Sequence, residues 1–405
     1  MFLSTSLVCG RLSSPSFFLR ARALAGGLAL AGCGPYGLSR PGGETPGAAA
    51  PEIAGALAGA SLGSGATRIA LIVPLSQSDG SSLVGQSLRN AAELALSEVG
   101  ENAVTILIKD DQSSPDGARL AAQAAIEEGA QIIIGPLYAN NVREVGRLAR
   151  AAQKPVIAFS TDTTASARGV YLLSFLVESY VDRIVDFAAS RGKKSFAALI
   201  PENDYGNVAA AQFQQTAAAR GVRVLSIERY APGGALAATQ RIAALGAQID
   251  ALFIPEQADQ MAGVAQALTS AGIDGKRIQI LGTGLWNDAR VLRLPQMQGA
   301  WFAAPDNSGF NAFAAKYRAK FNSDPTRIAT LAYDAISLAA ALGGQGLGYG
   351  ESVLTNSSGF NGADGLFRFR ADGQNERGLS VLQVREGGTT VVSPAPRSFG
   401  ARPGT

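Results

Sequence analysis

Short apolar segments alternate with longer amphipathic ones through the middle of this chain, and the alternation predicts its secondary structure. The apolar segments are typical of buried strands, and the Ala-rich stretches between them have the periodicity of amphipathic helices. The first series of predicted strands lies at 68–73, 104–108, 131–134 and 155–159, with helices near 82–99, 115–129 and 140–152. The second series has strands at 196–200, 222–227, 251–254 and 278–281, with helices near 205–220, 236–246 and 258–271.

Strands that alternate with helices predict an α/β fold in which each parallel sheet is covered by helices on both faces. Two successive series predict two such lobes, because the segment 68–391 is longer than one simple core usually holds. Ligands bind outside the carboxyl ends of the strands in open α/β sheets. We therefore expect two doubly wound lobes that face each other across a cleft and close around a ligand.

The first 32 residues have the order of an export signal. Arg11, Arg20 and Arg22 precede an apolar stretch at 23–31, which is about half as long as a membrane-spanning helix requires. The stretch ends in Leu-Ala-Gly-Cys33, which resembles the signal of bacterial lipoproteins. We predict a signal peptide that is cleaved before Cys33 and a lipid on that cysteine. The alternative is an ordinary signal peptide in which the cysteine occurs by chance.

The residues after Cys33 predict a tether between the lipid and the folded domain. Segment 33–67 consists mostly of Gly, Ala, Pro and Ser, which cannot bury enough apolar area to offset the entropy of ordering. The tail at 392–405 has a similar composition and is predicted to be disordered. Gly34, rather than Asp, follows the cysteine, which by resemblance to other lipoproteins favours the outer membrane over the inner one, on the periplasmic side.

The composition of the chain limits the catalytic sites, metal sites and partners that it can have. The chain has no histidine, which excludes Ser-His-Asp triads, Cys-His dyads and His-ligated zinc. Removal of the signal removes three arginines and leaves 32 basic and 32 acidic residues, so nucleic-acid binding loses its electrostatic support. Cys9 would leave with the signal and Cys33 would carry lipid, so no disulfide can form within one mature chain. We predict no metal site, no cofactor and no nucleic-acid partner.

Two patterns could suggest an enzyme, and neither is convincing. The sequence Gly-Ala-Ser61-Leu-Gly matches the nucleophile motif of hydrolases, but it lies in the predicted linker and no histidine can activate the serine. Asp110 and Asp111 could serve as a pair of acid–base carboxylates. They are adjacent on a predicted strand, so their side chains point to opposite faces. We predict that the chain is not an enzyme.

Motifs spread over most of the mature chain resemble the type I periplasmic binding proteins of the leucine/isoleucine/valine-binding group. In chain order they are Pro74-Leu-Ser76, Asp110-Asp111, Gly135-Pro136, Asn203-Asp-Tyr205-Gly206, Tyr333-Asp334-Ala335 and the segment 360–367. The resemblance implies three crossings between the lobes, near 175–183, 302–309 and 358–363. It implies an N-lobe of about 68–180 and 308–357, and a C-lobe of about 181–305 and 360–391.

The same resemblance implies ligand contacts in both lobes. The candidates are Ser76, Tyr138, Asn140, Ser160 and Thr161 in the N-lobe, and Tyr205, Glu256 and Trp286 in the C-lobe. Ser160 and Thr161 retain hydroxyls that the family places after its fourth strand, and Tyr205 corresponds to an aromatic residue that closes over the ligand. Glu256 occupies a place where such receptors often hold a ligand amine. Tyr138 replaces a small hydroxyl residue that helps to hold a ligand carboxylate, which argues against a free α-amino acid.

Each of these candidates also has a purely structural interpretation. Asn140 could cap the next helix, and the hydroxyls at 160–164 could build a turn. Tyr205 could pack at the start of a helix, Glu256 could be an exposed acid at a helix N-terminus, and Trp286 could belong to the core. The sequence leaves both interpretations open.

The loop after the third predicted strand resembles a narrower group of proteins. Gly135-Pro-Leu-Tyr-Ala-Asn-Asn-Val142 is similar to the Gly-Pro-Leu-x-x-Asn-Asn-Val segment of the penicillin-binding protein activators, outer-membrane lipoproteins that stimulate a peptidoglycan synthase by contact. Our first hypothesis is therefore a non-catalytic regulator of peptidoglycan synthesis whose partner is a penicillin-binding protein. The alternative is a substrate-binding lipoprotein that delivers an amino acid or a related small polar solute to an ABC permease.

Overall fold

A computed structural model of the protein describes residues 60–399. The predicted signal peptide, Cys33 and most of the predicted tether lie outside the described residues. All described residues fall within one compact unit. Within them, none of the helices has the length and apolar character needed to cross a membrane.

The N-lobe contains a six-stranded sheet with the order β1-β5-β2-β6-β7-β8, in which all strands except β1 run parallel. Its strands are β1 Ser61–Leu62, β2 Arg68–Val73, β5 Thr105–Asp110, β6 Ile132–Ile134, β7 Val156–Ala158 and β8 Val170–Leu172. A separate hairpin pairs β3 Ser76–Gln77 with β4 Gly80–Ser81. The helices between the strands are α1 Leu83–Val99, α2 Pro115–Glu127 and α3 Ala139–Ala151.

The C-lobe contains a seven-stranded sheet with the order β10-β9-β11-β12-β13-β17-β18, whose first five strands run parallel. Its strands are β9 Ser195–Pro201, β10 Arg223–Tyr230, β11 Ala251–Phe253, β12 Gln279–Gly282, β13 Trp301–Ala304, β17 Ser380–Arg385 and β18 Gly388–Ser393. Its helices are α4 Val177–Ser190, α5 Asp204–Ala219, α6 Ala235–Ala243, α7 Met261–Ser270 and α8 Ala289–Leu292.

Helices cover both faces of each sheet. In the N-lobe, α2 and α3 cover one face. The other face packs against α1 and three helices from later in the chain, α9 Asn307–Phe321, α10 Ala329–Gly344 and α11 Glu351–Leu354. In the C-lobe, α4 and α5 cover one face and α6, α7 and α8 the other. The predicted α/β class with two doubly wound lobes is confirmed.

The chain crosses between the lobes at 173–176, 305–306 and 378–379. The third crossing lies later than predicted, because a small sheet of β14 Phe360–Gly362, β15 Gly365–Phe369 and β16 Asn375–Arg377 belongs to the N-lobe. Phe367 and Phe369 are part of the N-lobe core. The Asn375 amide donates to the Leu172 carbonyl at 2.7 Å, which ties the small sheet to the end of β8. The prediction that the chain returns to the C-lobe near residue 360 is therefore wrong.

The described part of the chain is also ordered beyond both predicted ends. β1 pairs antiparallel with β5, so the predicted tether ends before residue 61 and Ser61 lies on an edge strand. At the other end, the Ala395 amide donates to Ser380 Oγ at 3.0 Å, and the Arg368 guanidinium lies 4.5 Å from the centre of the Phe399 ring. The tail through residue 399 therefore packs against the domain, contrary to the predicted disorder from residue 392.

Candidate functional site

The carboxyl ends of both sheets are where the lobes meet, and a side-chain contact joins them. Thr163 lies in the turn after β7 in the N-lobe, and its hydroxyl donates to Glu178 Oε1 at 3.2 Å. Glu178 lies in the first turn of α4 in the C-lobe. The loop that begins at the predicted contacts Ser160 and Thr161 is therefore placed against the C-lobe, which is the arrangement that a ligand-binding cleft requires.

Ser160 and Thr161 have different environments. Ser160 is buried, its Oγ accepts from the Asp162 amide at 3.1 Å, and its carbonyl accepts from the Ser174 hydroxyl at 2.7 Å. These bonds give Ser160 the structural role of holding the turn. Thr161 is exposed, so its hydroxyl is available to a ligand. Of the two predicted contacts in this loop, Thr161 remains the stronger candidate.

An arginine links this loop to the segment that contains Asn140. The Arg143 guanidinium donates to Asn140 Oδ1 at 2.8 Å, to Asp162 Oδ2 at 2.7 Å and to Thr164 Oγ1 at 2.7 Å. The Thr164 hydroxyl bonded to Asp162, together with Arg143, lowers the pKa of the Asp162 carboxyl. Asn140 therefore does not cap α3; its side chain helps to fasten two neighbouring loops at the edge of the N-lobe.

The loop between β6 and α3 presents Tyr138 to solvent. Tyr138 directly precedes α3, its side chain makes no capping hydrogen bond, and 42% of its surface is exposed. The neighbouring Asn141 points inward and donates to Asp111 Oδ2 at 2.9 Å. Burial raises the pKa of Asp111 to about 6, although the bond from Asn141 opposes this shift. Tyr138 therefore remains a candidate contact, whereas Asn141 is structural.

Ser76 is held by Asp110 at the end of β5. The Ser76 hydroxyl donates to Asp110 Oδ2, and the amides of Leu75 and Ser76 donate to Asp110 Oδ1 at 2.9 and 3.2 Å. Asp110 thus fixes the loop after β2, while its neighbour Asp111 bonds to Asn141. The two carboxylates serve separate structural contacts, as expected from adjacent residues on a strand. Ser76 remains at the edge of the cleft, but its hydroxyl already donates its hydrogen bond to Asp110.

On the C-lobe side, four residues form what we call the cleft cluster: Glu178, Tyr180, Tyr205 and Thr283. The Tyr205 hydroxyl donates to Thr283 Oγ1 at 2.9 Å, across the ends of β9 and β12. Burial raises the pKa of Tyr205, and Tyr180 and Glu178 raise it further. Asn203 positions Tyr205 because its Oδ1 caps α5 by accepting from the Gly206 amide at 2.7 Å. Tyr205 therefore lies at the start of α5 next to residues that the sequence did not single out, and its contact with a ligand stays a prediction.

Glu256 and Trp286 have buried side chains within the C-lobe. The Glu256 carboxylate is buried, accepts from the Tyr230 hydroxyl, and accepts from the Gln257 amide at 2.6 Å. Trp286 is fully buried, with its ring centre 6.4 Å from that of Phe302. A residue with no accessible surface cannot contact a ligand in this conformation, so the interpretation of Trp286 as a ligand contact is wrong and it belongs to the C-lobe core.

Sequence reasoning missed the meeting of three charged residues and one aromatic residue at the crossings, which we call the hinge cluster: Arg327, Asp364, Arg377 and Phe175. Arg327 donates to both carboxylate oxygens of Asp364, at 2.6 and 2.9 Å. The guanidinium groups of Arg327 and Arg377 each lie 4.7 Å from the centre of the Phe175 ring. Phe175 belongs to the first crossing and Arg377 directly precedes the third. The hinge cluster therefore connects two of the three crossings between the lobes.

The hinge cluster is incompletely paired. Arg377 donates from Nε to the Ser174 carbonyl at 3.0 Å, but among the described residues its two terminal nitrogens have no hydrogen-bond partner. Burial lowers the pKa of Arg377. The nearby Asp334 accepts from the Ala363 amide at 2.7 Å through one oxygen, and burial raises the pKa of its carboxyl to about 7. The motif at 360–367 and Asp334 were noticed in the sequence, but nothing local indicated that they meet Arg327 and Arg377.

Comparison with known proteins agrees with this architecture. A family model described as periplasmic binding protein matches residues 66–389. No curated protein matches the chain in sequence. Solved structures with the same fold include a Rhodospirillum rubrum protein described as a branched-chain amino acid ABC transporter, which is 20% identical with a TM-score of 0.71 and covers 81% of this chain and 100% of its own.

Two further structures contain different bound molecules. A solute-binding protein of an ABC transporter from Rhodopseudomonas palustris, in complex with 3,4-dihydroxybenzoic acid, is 22% identical with a TM-score of 0.57, covering 83% of this chain and 98% of its own. A branched-chain amino acid substrate-binding protein from Streptococcus pneumoniae, in complex with isoleucine, is 19% identical with a TM-score of 0.56, covering 81% and 99%. At these identities the likeness shows a shared fold.

Proposed function

Because the chain belongs to the periplasmic binding protein family, we propose that it is the substrate-binding subunit of an ABC importer. In this proposal its two lobes close on a small polar solute in the periplasm. The observation that carries the proposal is the contact between Thr163 and Glu178, which brings the N-lobe loop with the exposed Thr161 to the cleft cluster around Tyr205. Family membership favours ligand binding over catalysis and implies a periplasmic location.

The polar groups at the cleft favour a solute that donates hydrogen bonds. Glu178 Oε2 is buried and, among the described residues, has no hydrogen-bond partner. A buried carboxylate oxygen without a partner is costly, and an N–H or O–H group of a solute would remove that cost. The structural neighbours bind isoleucine and 3,4-dihydroxybenzoic acid, which supports a small molecule that carries polar groups on an apolar frame.

This proposal places the importer subunit ahead of the peptidoglycan-synthase regulator that the Asn140-Asn141 loop first suggested. Asn140 is bonded to Arg143 and Asn141 to Asp111, so both amides have structural roles within the N-lobe. The solved structures reported above are transport proteins, which supports an ABC permease as the partner rather than a penicillin-binding protein.

Native mass spectrometry of the purified full-length chain, before and after denaturation, tests the proposal. We expect a small molecule to be released on denaturation. Adding the identified solute at 100 times its Kd would stabilise the folded chain by about 2.7 kcal/mol. Thr161→Trp would fill the cleft entrance and abolish this stabilisation. The matched control is Thr390→Trp, an exposed threonine on β18 at the far edge of the C-lobe sheet, which should bind the solute normally.

Two results would contradict the importer proposal. One is an empty protein that no amino acid, aromatic acid or small peptide stabilises against heat. The other is a solute that binds Thr161→Trp as tightly as the unmodified chain. If the empty protein also stimulated glycan polymerisation by a purified penicillin-binding protein, the regulator hypothesis would replace the importer.

The lipid anchor on Cys33 and its location in the outer membrane are further parts of the proposal. They rest on the sequence of the signal, since Cys33 lies outside the described residues. Cys33→Ala should release the protein from the membrane fraction of cells, and Cys9→Ala, within the same signal, should leave it there. Release by neither substitution would contradict the anchor. Separation of inner and outer membranes by density would then show which of them holds the unmodified protein.

A further inference from the structure

The amino ends of the parallel C-lobe strands form an edge that carries many basic side chains. The end of β17, which runs antiparallel to β13, lies on the same edge. We call this surface the basic edge, and its exposed basic residues include Arg191, Lys194, Arg223, Lys276, Arg277 and Arg385. Tyr205 and Thr283 of the cleft cluster follow the opposite ends of β9 and β12. Since β9 has seven residues, about 20 Å of strand separates the basic edge from the cleft.

The register of the strands brings these basic residues onto one surface. The Arg223 amide donates to the Lys194 carbonyl at 2.9 Å, where β10 and β9 begin. Asp250 directly precedes β11, and its carboxylate accepts from the Lys194 amide at 2.9 Å. The Asp250 carbonyl accepts from the Gln279 amide at 2.9 Å, two residues after Arg277. Residues at the start of β9, β10 and β12 therefore lie side by side.

The charges of the basic edge are not neutralised by neighbouring acids. Within the described part of the chain, none of its six basic residues named above forms an ion pair. Asp250 and Asp274 lie in the same loops, but their carboxylates accept hydrogen bonds from backbone amides. Arg220 at the end of α5 shows the usual arrangement, because it is paired with Asp186. The basic edge therefore presents positive charge to the solvent.

The corresponding edge of the N-lobe is balanced. Basic and acidic residues occur there in equal measure before and at the start of the strands: Arg68, Arg150, Lys154, Glu101, Glu127 and Glu128. The whole chain has 35 basic and 32 acidic residues, so the basic edge does not follow from an overall basic composition. The positive charge is a local property of the C-lobe.

Stabilisation of helix ends accounts for little of this pattern. A basic residue is favoured in the last turn of a helix, where it offsets the helix dipole, and Arg191 directly follows α4. This effect falls off beyond the last turn. Lys194 and Arg223 lie at the start of strands, and Arg277 comes seven residues after the end of α7. These side chains have no structural partner that explains their charge.

We propose that the basic edge docks on a membrane surface that contains anionic phospholipids. Protein interfaces usually have an apolar or aromatic centre. None of the large hydrophobic residues that are exposed in the described chain lies in the loops of the basic edge. Anionic headgroups fit such a surface, because basic residues near a membrane are attracted by its charge without a shaped apolar pocket. Docking at this edge would leave the cleft, at the other end of the strands, open to a solute.

Vesicle sedimentation of the full-length chain tests the proposal. Cys33→Ala is present throughout, so that no acyl chain on Cys33 can hold the protein on a vesicle. We expect at least about tenfold tighter binding to vesicles of equal parts phosphatidylcholine and phosphatidylglycerol than to phosphatidylcholine alone, because each basic residue near an anionic surface contributes about fivefold. The preference should disappear when salt is raised from about 0.1 M to about 1 M, which shortens the screening length from about 10 Å to about 3 Å. Equal binding to both kinds of vesicle would overturn the proposal.

A triple variant tests the location. Lys194→Gln, Lys276→Gln and Arg277→Gln remove three exposed charges and break no ion pair among the described residues. Together they should weaken binding to the anionic vesicles by about 100-fold. Because surface substitutions of this kind change stability little, the variant should unfold at the same temperature as its parent. Undiminished binding by the folded variant would refute the basic edge as the docking surface.

The matched control removes the same charge from the N-lobe. Arg147→Gln, Arg150→Gln and Lys154→Gln lie on α3 and in the loop after it. This variant should bind the anionic vesicles as tightly as its parent. If it lost as much affinity as the C-lobe variant, net charge alone would govern binding and the proposed location would be wrong.

An acidic protein surface is the other possible occupant, and soluble poly-glutamate distinguishes it from lipid. If poly-glutamate bound the parent chain and not the C-lobe triple variant, while anionic vesicles bound neither, an acidic protein partner would replace the membrane. Vesicle binding that is sensitive to the triple variant supports the membrane.

This inference does not depend on the importer proposal. Thr161→Trp should leave vesicle binding unchanged, and the C-lobe triple variant should bind the cleft solute as tightly as its parent. A chain that binds the solute but no anionic vesicle would refute only the membrane surface. A chain that binds anionic vesicles but no solute would refute only the importer.

Discussion

The hinge cluster and the N-lobe cleft loops, which follow β2, β6 and β7, both contain charged and polar side chains, but the two regions use them differently. In the hinge, the Asp364 side chain has no exposed surface and accepts both branches of Arg327 together with the Thr330 hydroxyl. In the N-lobe cleft loops, Thr161 and Tyr138 are exposed. The difference indicates that Asp364 and Arg327 hold their part of the hinge in place, whereas the cleft loops keep surface for binding.

This contrast has an energetic basis. Breaking a buried ion pair leaves one charge without compensation, whereas an exposed pair loses little when broken because water replaces the partner. A two-lobed receptor needs hinge strands that bend at defined points and loops that adapt to a ligand. We therefore expect substitutions in the hinge cluster to change the stability of the fold, and substitutions in the cleft loops to change the affinity for a ligand.

The largest expected effect is that of Asp364→Ala. The substitution removes the partner of Arg327 and of Thr330, so the free energy of unfolding should fall by about 3–5 kcal/mol. The measurement is denaturation by urea followed by circular dichroism. Asp372→Ala breaks the exposed pair with Arg370, whose side chains are both more than 40% exposed, and should cost less than about 1 kcal/mol. Equal losses in the two variants would contradict the contrast.

Asp334→Asn tests the hinge by its dependence on pH. Burial raises the pKa of this carboxyl from 3.8 to about 7, while Arg377 lowers it and Asp364 raises it. The folded protein therefore holds the proton more tightly than the unfolded chain, so the contribution of Asp334 to stability is greatest below pH 4 and declines as the pH rises to 7. Asparagine imitates the protonated form and should remove this decline.

The two proteins should then be equally stable near pH 4, and Asp334→Asn should be more stable at pH 8 by up to about 4 kcal/mol, at roughly 1.4 kcal/mol per pKa unit. Urea denaturation at pH 4, 6 and 8 measures the difference. Asp111→Asn is the matched comparison, because burial raises the pKa of Asp111 only to about 6 and its effect should be complete at a lower pH. A constant difference between Asp334→Asn and the unmodified protein at all three pH values would refute the account.

The third prediction concerns the wall of the C-lobe behind the cleft. A Cβ atom on Gly282 would lie 2.3 Å from the Trp286 ring, so Gly282→Ala should lower the free energy of unfolding by about 1–3 kcal/mol. Gly263→Ala places its methyl group in open space on a helix and should raise stability by up to about 1 kcal/mol. Thermal unfolding compares the two variants. If Gly282→Ala were as stable as the unmodified chain, the packing of Trp286 on β12 would be as adaptable as the cleft loops.

The strands and helices could be predicted from sequence because burial gives them a local signal. β2 spans Arg68–Val73, as the sequence predicts, and all five of its residues after Arg68 are apolar and buried. The placement of residues 360–377 could not be predicted this way. Their motif is polar and rich in glycine. They belong to the N-lobe because Phe367 and Phe369 pack against core residues that are far away in sequence.

Part of the candidate site could also be predicted, because it too has a local signal in the sequence. Tyr205 follows a capping Asn203 at the start of a helix, a local pattern that fixes where it lies. The partner of Glu256 is Tyr230, on a different strand, and Trp286 is buried because Gly282 leaves room for its ring. Tyr230 lies far from Glu256 in sequence, and a glycine close to a tryptophan does not by itself indicate that the ring packs on it. A pattern can place a side chain at the end of a strand, but the direction in which it points is decided by distant packing.

The smallest expected effect is that of a contact between the two lobes at the cleft, the hydrogen bond from Thr163 to Glu178. Thr163→Val removes this hydroxyl and should lower the free energy of unfolding by about 1 kcal/mol, the usual net value of one hydrogen bond. It should also speed hydrogen exchange of the backbone amides in the first turn of α4, at 177–180. Thr164→Val removes a neighbouring hydroxyl whose partners, Asp162 and Arg143, lie within the N-lobe, so exchange in α4 should not change. If both variants speed exchange in α4 equally, the loop acts on the C-lobe as a whole and not through this contact. If only Thr163→Val speeds it, the hydroxyl of Thr163 steadies the start of α4 through a weak hydrogen bond that a ligand can replace.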